Sequence, residues 1–375
     1  MAATAKKIVI SGYYGFNNSG DEAVLQSILL ALAEQGARAG LDIEPIVLSV
    51  NPDLTSRMYG VRSVHRMKLQ QVAAAIRESD GLISGGGSLL QDATGKLTIP
   101  YYLGIIKLAQ LFGKPTFIYS QGIGPVHSRL FYPAIQHVFR RSSYVSVRDT
   151  ESAELLAKMG LGLERMEVVP DPVMGLPRRA PAGAGGLQQK PATSEPVVGI
   201  SVRFWNENRS ELRALAVALQ QLNEKKPVRL RFLPFHQPSD AEASRVVIEH
   251  LPADLKSKSE VADGLDHPQD MLSAVSECDL LIGMRLHSLI YAASQQVPLV
   301  GISYDPKIDQ FLNRLAMRAA ASTESFDSVR VAEEAARLLN DRERWIQDKA
   351  SVIGKLQQQA QQPAQHIAAF FRREG

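Results

Sequence analysis

The chain has 375 residues, beyond the size at which one hydrophobic core stops growing efficiently, so two domains of ordinary size are expected. Apolar residues make up 45% and charged residues 22%, which excludes a disordered chain; 42 Lys and Arg against 39 Asp and Glu argue against a protein that coats nucleic acid. The single cysteine, Cys278, excludes an intramolecular disulfide and a zinc site built on several thiolates, and fits a reducing compartment.

The first strand, Lys6–Ser11, follows with no apolar segment ending in a small-residue cleavage site, so export is not expected. Apolar runs rich in Val and Ile recur at 43–50, 61–64, 81–84, 116–120, 144–147 and 166–169, each followed by a turn and mostly by a segment with helical spacing. That alternation is the pattern of βαβ units and predicts a parallel sheet. The clearest helix begins near Ser19, carries Asp21 and Glu22 in its first turn, and aligns Val24, Leu25, Ile28, Leu29 and Leu32 on one face. Its N-terminus is able to hold an anion. The longest apolar stretch, Ile99–Phe112, is interrupted by Lys107 and Gln110 and falls short of the roughly 20 residues a spanning helix needs.

From Leu176 to Pro196 the chain turns Pro-, Ala-, Gly- and Gln-rich, the composition of a flexible linker. The strand rhythm restarts at 197–202, 228–233, 279–283 and 299–303, and the tail from Glu324 is helical in pattern. The expected architecture is α/β: a Rossmann-like domain over 1–178, a linker over 179–196, a second Rossmann-like domain over 197–320 facing the first across a cleft, and C-terminal helices over 321–375.

Several phosphate and metal signatures are missing. There is no P-loop, no His-Glu-x-x-His, no Asp-x-Asp to hold a divalent ion against a nucleotide sugar, and no Gly-x-Ser-x-Gly; Gly122-Ile-Gly124 lacks the third glycine of a dinucleotide fingerprint. Metal-free chemistry in a cleft is therefore expected.

Five segments fall at the carboxyl ends of predicted strands, where open α/β sheets bind ligands. Ser11–Asp21 is a Gly- and Asn-rich loop feeding a helix, able to offer N–H groups or simply to turn and cap. Ser84-Gly85-Gly86-Gly87-Ser88-Leu89-Leu90-Gln91-Asp92 lets a ligand approach the backbone or acts as a bend, and Ser120–Pro125 is a weaker glycine turn. Arg148, in Val147-Arg148-Asp149, points from a strand end into a site or pairs locally with Asp149 or Glu151. The segment Leu281-Ile282-Gly283-Met284-Arg285-Leu286-His287-Ser288 delivers Arg285 and His287 to a helix start. With Lys307 after the next strand, it makes a cationic pocket suited to phosphate and carboxylate. His236 follows another strand.

Taken in order, the Gly-Tyr-Tyr-Gly-Phe-Asn-Asn-Ser-Gly-Asp-Glu-Ala opening, Gly-Gly-Gly-Ser-Leu-Leu-Gln-Asp, Gln-Gly-Ile-Gly-Pro, Val-Arg-Asp, Asp171-Pro172 and Gly-Met-Arg-Leu-His-Ser resemble the polysaccharide pyruvyltransferases. The likeness runs from Lys6 to about Phe311 and is strongest to the cell-surface-anchoring branch. It implies a two-domain fold like the GT-B glycosyltransferases. It also implies transfer of pyruvate from phosphoenolpyruvate as a cyclic ketal onto a sugar diol, in that branch β-N-acetylmannosamine on a lipid-diphosphate-linked wall-polymer precursor at the cytoplasmic membrane face. Carried over by motif, His287 would be the general acid, Arg148 a catalytic cation, and Arg285 and Lys307, with Gly86, Gly87 and Ser88, the donor contacts. Tyr14, Asn17, Gln91, Asp92 and His236 are the candidates for the acceptor. The tail Gln365–Arg373 is loosely amphipathic and could rest on lipid or pack back on the first domain. Rival readings are a metal-independent GT-B glycosyltransferase using a nucleotide sugar and a non-catalytic sugar-phosphate binding protein.

Overall fold

A computed structural model describes residues 4–93, 95, 97–179 and 195–374. It contains two compact units, residues 1–176 with 356–375, and residues 177–355. The expected linker over 179–196 lies almost wholly outside the described residues.

In the first unit seven strands form one sheet: β1 (Thr4–Ser11), β2 (Leu41–Ser49), β3 (Arg62–His65), β4 (Gly81–Leu90), β5 (Thr116–Ile123), β6 (Tyr144–Val147) and β7 (Glu167–Val168), in the order β3-β2-β1-β4-β5-β6-β7. Every pairing is parallel, with Ile8 opposite Gly81 and Ile83 opposite Phe117. Sheet residues Ile8, Val9, Ile10, Leu82, Ile83 and Ile118 are buried, as both faces are covered by the crossover helices.

The second unit repeats the plan with β8 (Val197–Ser201), β9 (Arg229–Phe232), β10 (Ser259–Val261), β11 (Leu280–Gly283), β12 (Leu299–Ser303) and β13 (Ala321–Ser322), ordered β10-β9-β8-β11-β12-β13 and again parallel. Its two edge strands, β10 and β13, have no counterpart in the sequence expectation. Three and two residues long, they carry no apolar run that periodicity could register.

Two further differences are informative. The triple-glycine segment is not a loop: β4 continues through it to Leu90, pairing Gly85 with Tyr119 and Gly87 with Gln121, with an irregularity before Leu90. The C-terminal helices do not form a piece of their own. The helix Ser328–Asn340 belongs to the second unit, and Gln362–Glu374 to the first.

Candidate functional site

In each sheet the strand order reverses once, between β1 and β4 and between β8 and β11. At such a point neighbouring loops diverge to opposite faces and leave a crevice at the strands' carboxyl ends. The motifs singled out in the sequence lie largely at these two reversals.

At the first reversal, the loop after β1 runs against the extension of β4. Tyr14 is 1% exposed, its ring filling the space that Gly12 leaves without a side chain. A Cβ on Gly85 would stand 2.7 Å from its hydroxyl. That hydroxyl is buried with no hydrogen-bond partner among the described residues, and burial, reinforced by Asp21, raises its pKa well above the usual tyrosine value. Tyr14 is thus a packing residue here, a correction to its expected role in touching an acceptor. The accessible aromatics of the loop are its neighbours: the rings of Tyr13 and Phe16 stack at 3.8 Å and 3°, with Tyr13 39% exposed. Asn17 is exposed, with φ at 56°. Beneath them buried Arg66 donates to the Gly12 carbonyl at 3.1 Å and to the Tyr102 hydroxyl at 3.2 Å, its guanidinium 4.4 Å from the Tyr101 ring centre.

The helix Ser19–Ala39 is capped by Asn18, whose Oδ1 accepts from Gly20 N–H at 3.1 Å. Glu22 is buried in its first turn, accepting from Gly15 N–H and from the Tyr59 hydroxyl, both at 2.7 Å. Burial raises its pKa.

Arg148 lies just past β6, 7% exposed. It donates to Ser88 Oγ at 2.9 Å and forms ion pairs with Asp149 at 3.4 Å and Asp171 at 3.5 Å. The Asp-Pro of the sequence pattern thereby acquires a purpose, since Asp171 and Asp149 fix the guanidinium against Ser88. Gly122 is what makes room, as a Cβ there would meet Arg148 Nε at 2.8 Å. Gly86 lies under Val24 of the helix, while Gly87 has φ at 74° beside Asp21. Gln91 is half-buried. Asp92 accepts from the N–H groups of His127 and Ser128, both at 2.9 Å; burial opposes its charge, but these bonds hold its pKa below 3.8.

In the second unit the loops after β8, β9, β11 and β12 each carry a basic side chain. Arg285 is the N-cap residue of the helix Leu286–Ser294, and His287, half-buried, is in that helix's first turn. Arg285 donates twice to Asp240, at 3.0 and 2.5 Å, and Asp240, 0% exposed, also accepts from the backbone N–H of His236 at 3.0 Å. Burial lowers the pKa of the His236 ring, and Arg285 and Arg203 lower it further, with Asp240 opposing. Lys307 starts the helix Pro306–Arg314, capped by Asp305, whose carboxylate takes the Lys307 N–H at 3.0 Å and lies 4.0 Å from its Nζ. Two helix N-termini together with Arg, Lys and His side chains suit a small, multiply charged anion.

Thus Arg148 meets Ser88 beside Gly86 and Gly87 in the first unit, while in the second Arg285, two residues before His287, shares Asp240 with the backbone of His236, and Lys307 follows the neighbouring strand β12. Sequence reasoning missed Arg66, Arg203, Asp240 and the Tyr13–Phe16 pair. Arg203 was within reach of it, following β8 as Arg285 follows β11; Asp240 was not, because its partner is 45 residues away. Among the described residues no three His, Cys, Asp or Glu side chains group as a metal site, and no helix is long and apolar enough to cross a membrane.

Comparison with known proteins agrees with this layout. The sequence profile of the family described as polysaccharide pyruvyl transferase matches residues 18–306. The amylovoran biosynthesis protein AmsJ of Erwinia amylovora is 24% identical over 285 residues, 68% of this chain. The match spans 64% of that relative, less than two thirds of its length. Among solved structures, Anabaena HepE in complex with UDP and glucose superposes with a TM-score of 0.59 at 14% identity, covering 96% of each chain. The UDP-GlcNAc 2-epimerase of Methanocaldococcus jannaschii does so with 0.60 at 10% identity, over 90% of this chain and 93% of its own. At such identities the likeness is one of fold, the GT-B-like α/β class.

Proposed function

The chain belongs to the polysaccharide pyruvyl transferase family, and from that premise we propose that it moves pyruvate from phosphoenolpyruvate onto a sugar diol as a cyclic ketal, releasing phosphate. The observation that supports this most is His287 in the first turn of a helix at the strand-order reversal, with Arg285 before it and Lys307 on the next loop.

In this reading His287 protonates the methylene carbon of the donor, which makes C2 electrophilic, and a sugar hydroxyl attacks C2 and returns its proton to the His287 imidazole. The C2–O bond to phosphate then breaks. The second hydroxyl closes the ring at C2, and its proton leaves with the phosphate, so atoms and charge balance. Lys307 and the N–H groups of the helix Leu286–Ser294 stabilise the departing phosphate. The acceptor binds the first unit, where Asn17 and Gln91 lie at the glycine-rich strand ends. We read it as a β-N-acetylmannosamine, ketalised at its 4- and 6-hydroxyls, on a lipid-diphosphate-linked precursor made on the cytoplasmic side. The reaction in this form needs neither metal nor organic cofactor.

The test is to incubate purified protein with phosphoenolpyruvate and a synthetic lipid-diphosphate glycan ending in N-acetylmannosamine, following phosphate release and product mass. A ketal-mass product that His287→Ala abolishes is the expected result. No reaction of phosphoenolpyruvate, with turnover of a nucleotide sugar instead, would identify a glycosyltransferase.

A further inference from the structure

At the reversal of the second sheet each of the two loops carries an arginine two residues past its strand, Arg203 after β8 and Arg285 after β11, and their surroundings differ. Arg285 is already neutralised. Its fork is filled by the carboxylate of Asp240, a residue with no exposed surface, and removing Arg285 to serve a ligand would leave that carboxylate buried and unpaired.

Arg203 makes no ion pair among the described residues. Its Nη1 donates to the Tyr304 hydroxyl at 2.9 Å and its Nε to the Phe204 carbonyl at 3.4 Å. Its guanidinium lies 5.2 Å from the Trp205 ring centre and 4.8 Å from that of Tyr304, and those rings are 4.5 Å apart. Ring contacts of this kind orient the guanidinium plane while leaving its charge uncompensated, and a neutral hydroxyl and a carbonyl likewise leave it so. The residue is half-buried and Trp205 is 47% exposed, so the group is open to a ligand from solvent.

We propose that Arg203, rather than Arg285, is the guanidinium that binds the donor's carboxylate, with Arg285 reserved for holding Asp240 and the start of the His287 helix in place. A planar carboxylate matches an oriented guanidinium edge through two parallel hydrogen bonds. The phosphate is the better match for Lys307 and the helix amides. This assignment rests on the pyruvyl-transfer reading and names the donor contact within it.

The experiment is a calorimetric titration of wild type, Arg203→Gln and Arg203→Lys with phosphoenolpyruvate and with vinyl phosphate, which lacks the carboxylate. Arg203→Gln should weaken phosphoenolpyruvate binding by about 10- to 100-fold, the range for a hydrogen bond to a charged group, and change vinyl phosphate binding by less than about twofold. Arg203→Lys keeps the charge without the fork and should fall between; it serves as the folded variant if Arg203→Gln does not fold. Unchanged phosphoenolpyruvate affinity in both variants, or an equal loss for both ligands, overturns the assignment while leaving the pyruvyl-donor reading standing. A wild-type protein that binds no phosphoenolpyruvate overturns both.

Discussion

Arg285 shows how a charge read from sequence as a ligand contact can be paired within the fold, here with Asp240. Asp240 has no exposed surface, and its two oxygens are spent on the guanidinium of Arg285 and the backbone of His236. Replacing it by Asn keeps the shape but leaves Arg285 facing a neutral amide, at a cost of about 3 kcal/mol. Both tryptophans, Trp205 and Trp345, belong to the second unit, so tryptophan fluorescence follows that unit by itself. Asp240→Asn should move its urea midpoint down by on the order of 1–2 M. An unchanged midpoint would mean that the pair contributes nothing to stability. His287 and Lys307 were legible as candidates because each follows a recognisable strand, whereas Arg66, buried among Tyr101, Tyr102 and Phe16, acquires its setting only when distant segments meet.

At the scale of elements, the glycines of β4 illustrate competing explanations for one residue type. Read as a ligand loop, Gly86 was assigned to the donor. In the structure a side chain there would collide with Val24, so the glycine lets the helix Ser19–Ala39 lie directly on the strand. Gly86→Ala should then destabilise the first unit by about 1–3 kcal/mol through overpacking, and adding Val24→Ala should restore part of the loss. Hydrogen exchange of peptides from β1 and β4 measures both effects; a double variant no more protected than Gly86→Ala alone would show that the contact is not the cause. The first turn of the same helix carries a buried carboxylate, Glu22, held by the Gly15 N–H and the Tyr59 hydroxyl. Interior strands were recognisable because burial on both faces demands continuous Val and Ile, and β10 and β13 at the edges escape that demand.

For the whole molecule, the last helix carries a consequence for stability. Gln362–Glu374 packs on the first unit through Ala364, Ile367 and Phe371, each at most 2% exposed, with Phe371 5.6 Å from Phe117 and His366 stacked on Tyr144 at 4.7 Å. The apolar face that could have rested on lipid is therefore covered. Removing residues 362–375 should cost the first unit at least about 4 kcal/mol, the scale of deleting one large buried aromatic with its neighbours. Hydrogen exchange should show lost protection in β5 and β6, while the tryptophan-reported transition of the second unit stays put. Retained protection in β5 and β6 would mean that the helix is dispensable. By itself the sequence determined the class of fold, two parallel sheets, and the motifs at their carboxyl ends, because strand burial and turn chemistry are written in local periodicity and in glycine, asparagine and proline positions. Only the tertiary structure decided which cations are neutralised, which glycines serve packing and where the tail belongs, because those outcomes depend on partners dozens or hundreds of residues away that no local pattern encodes.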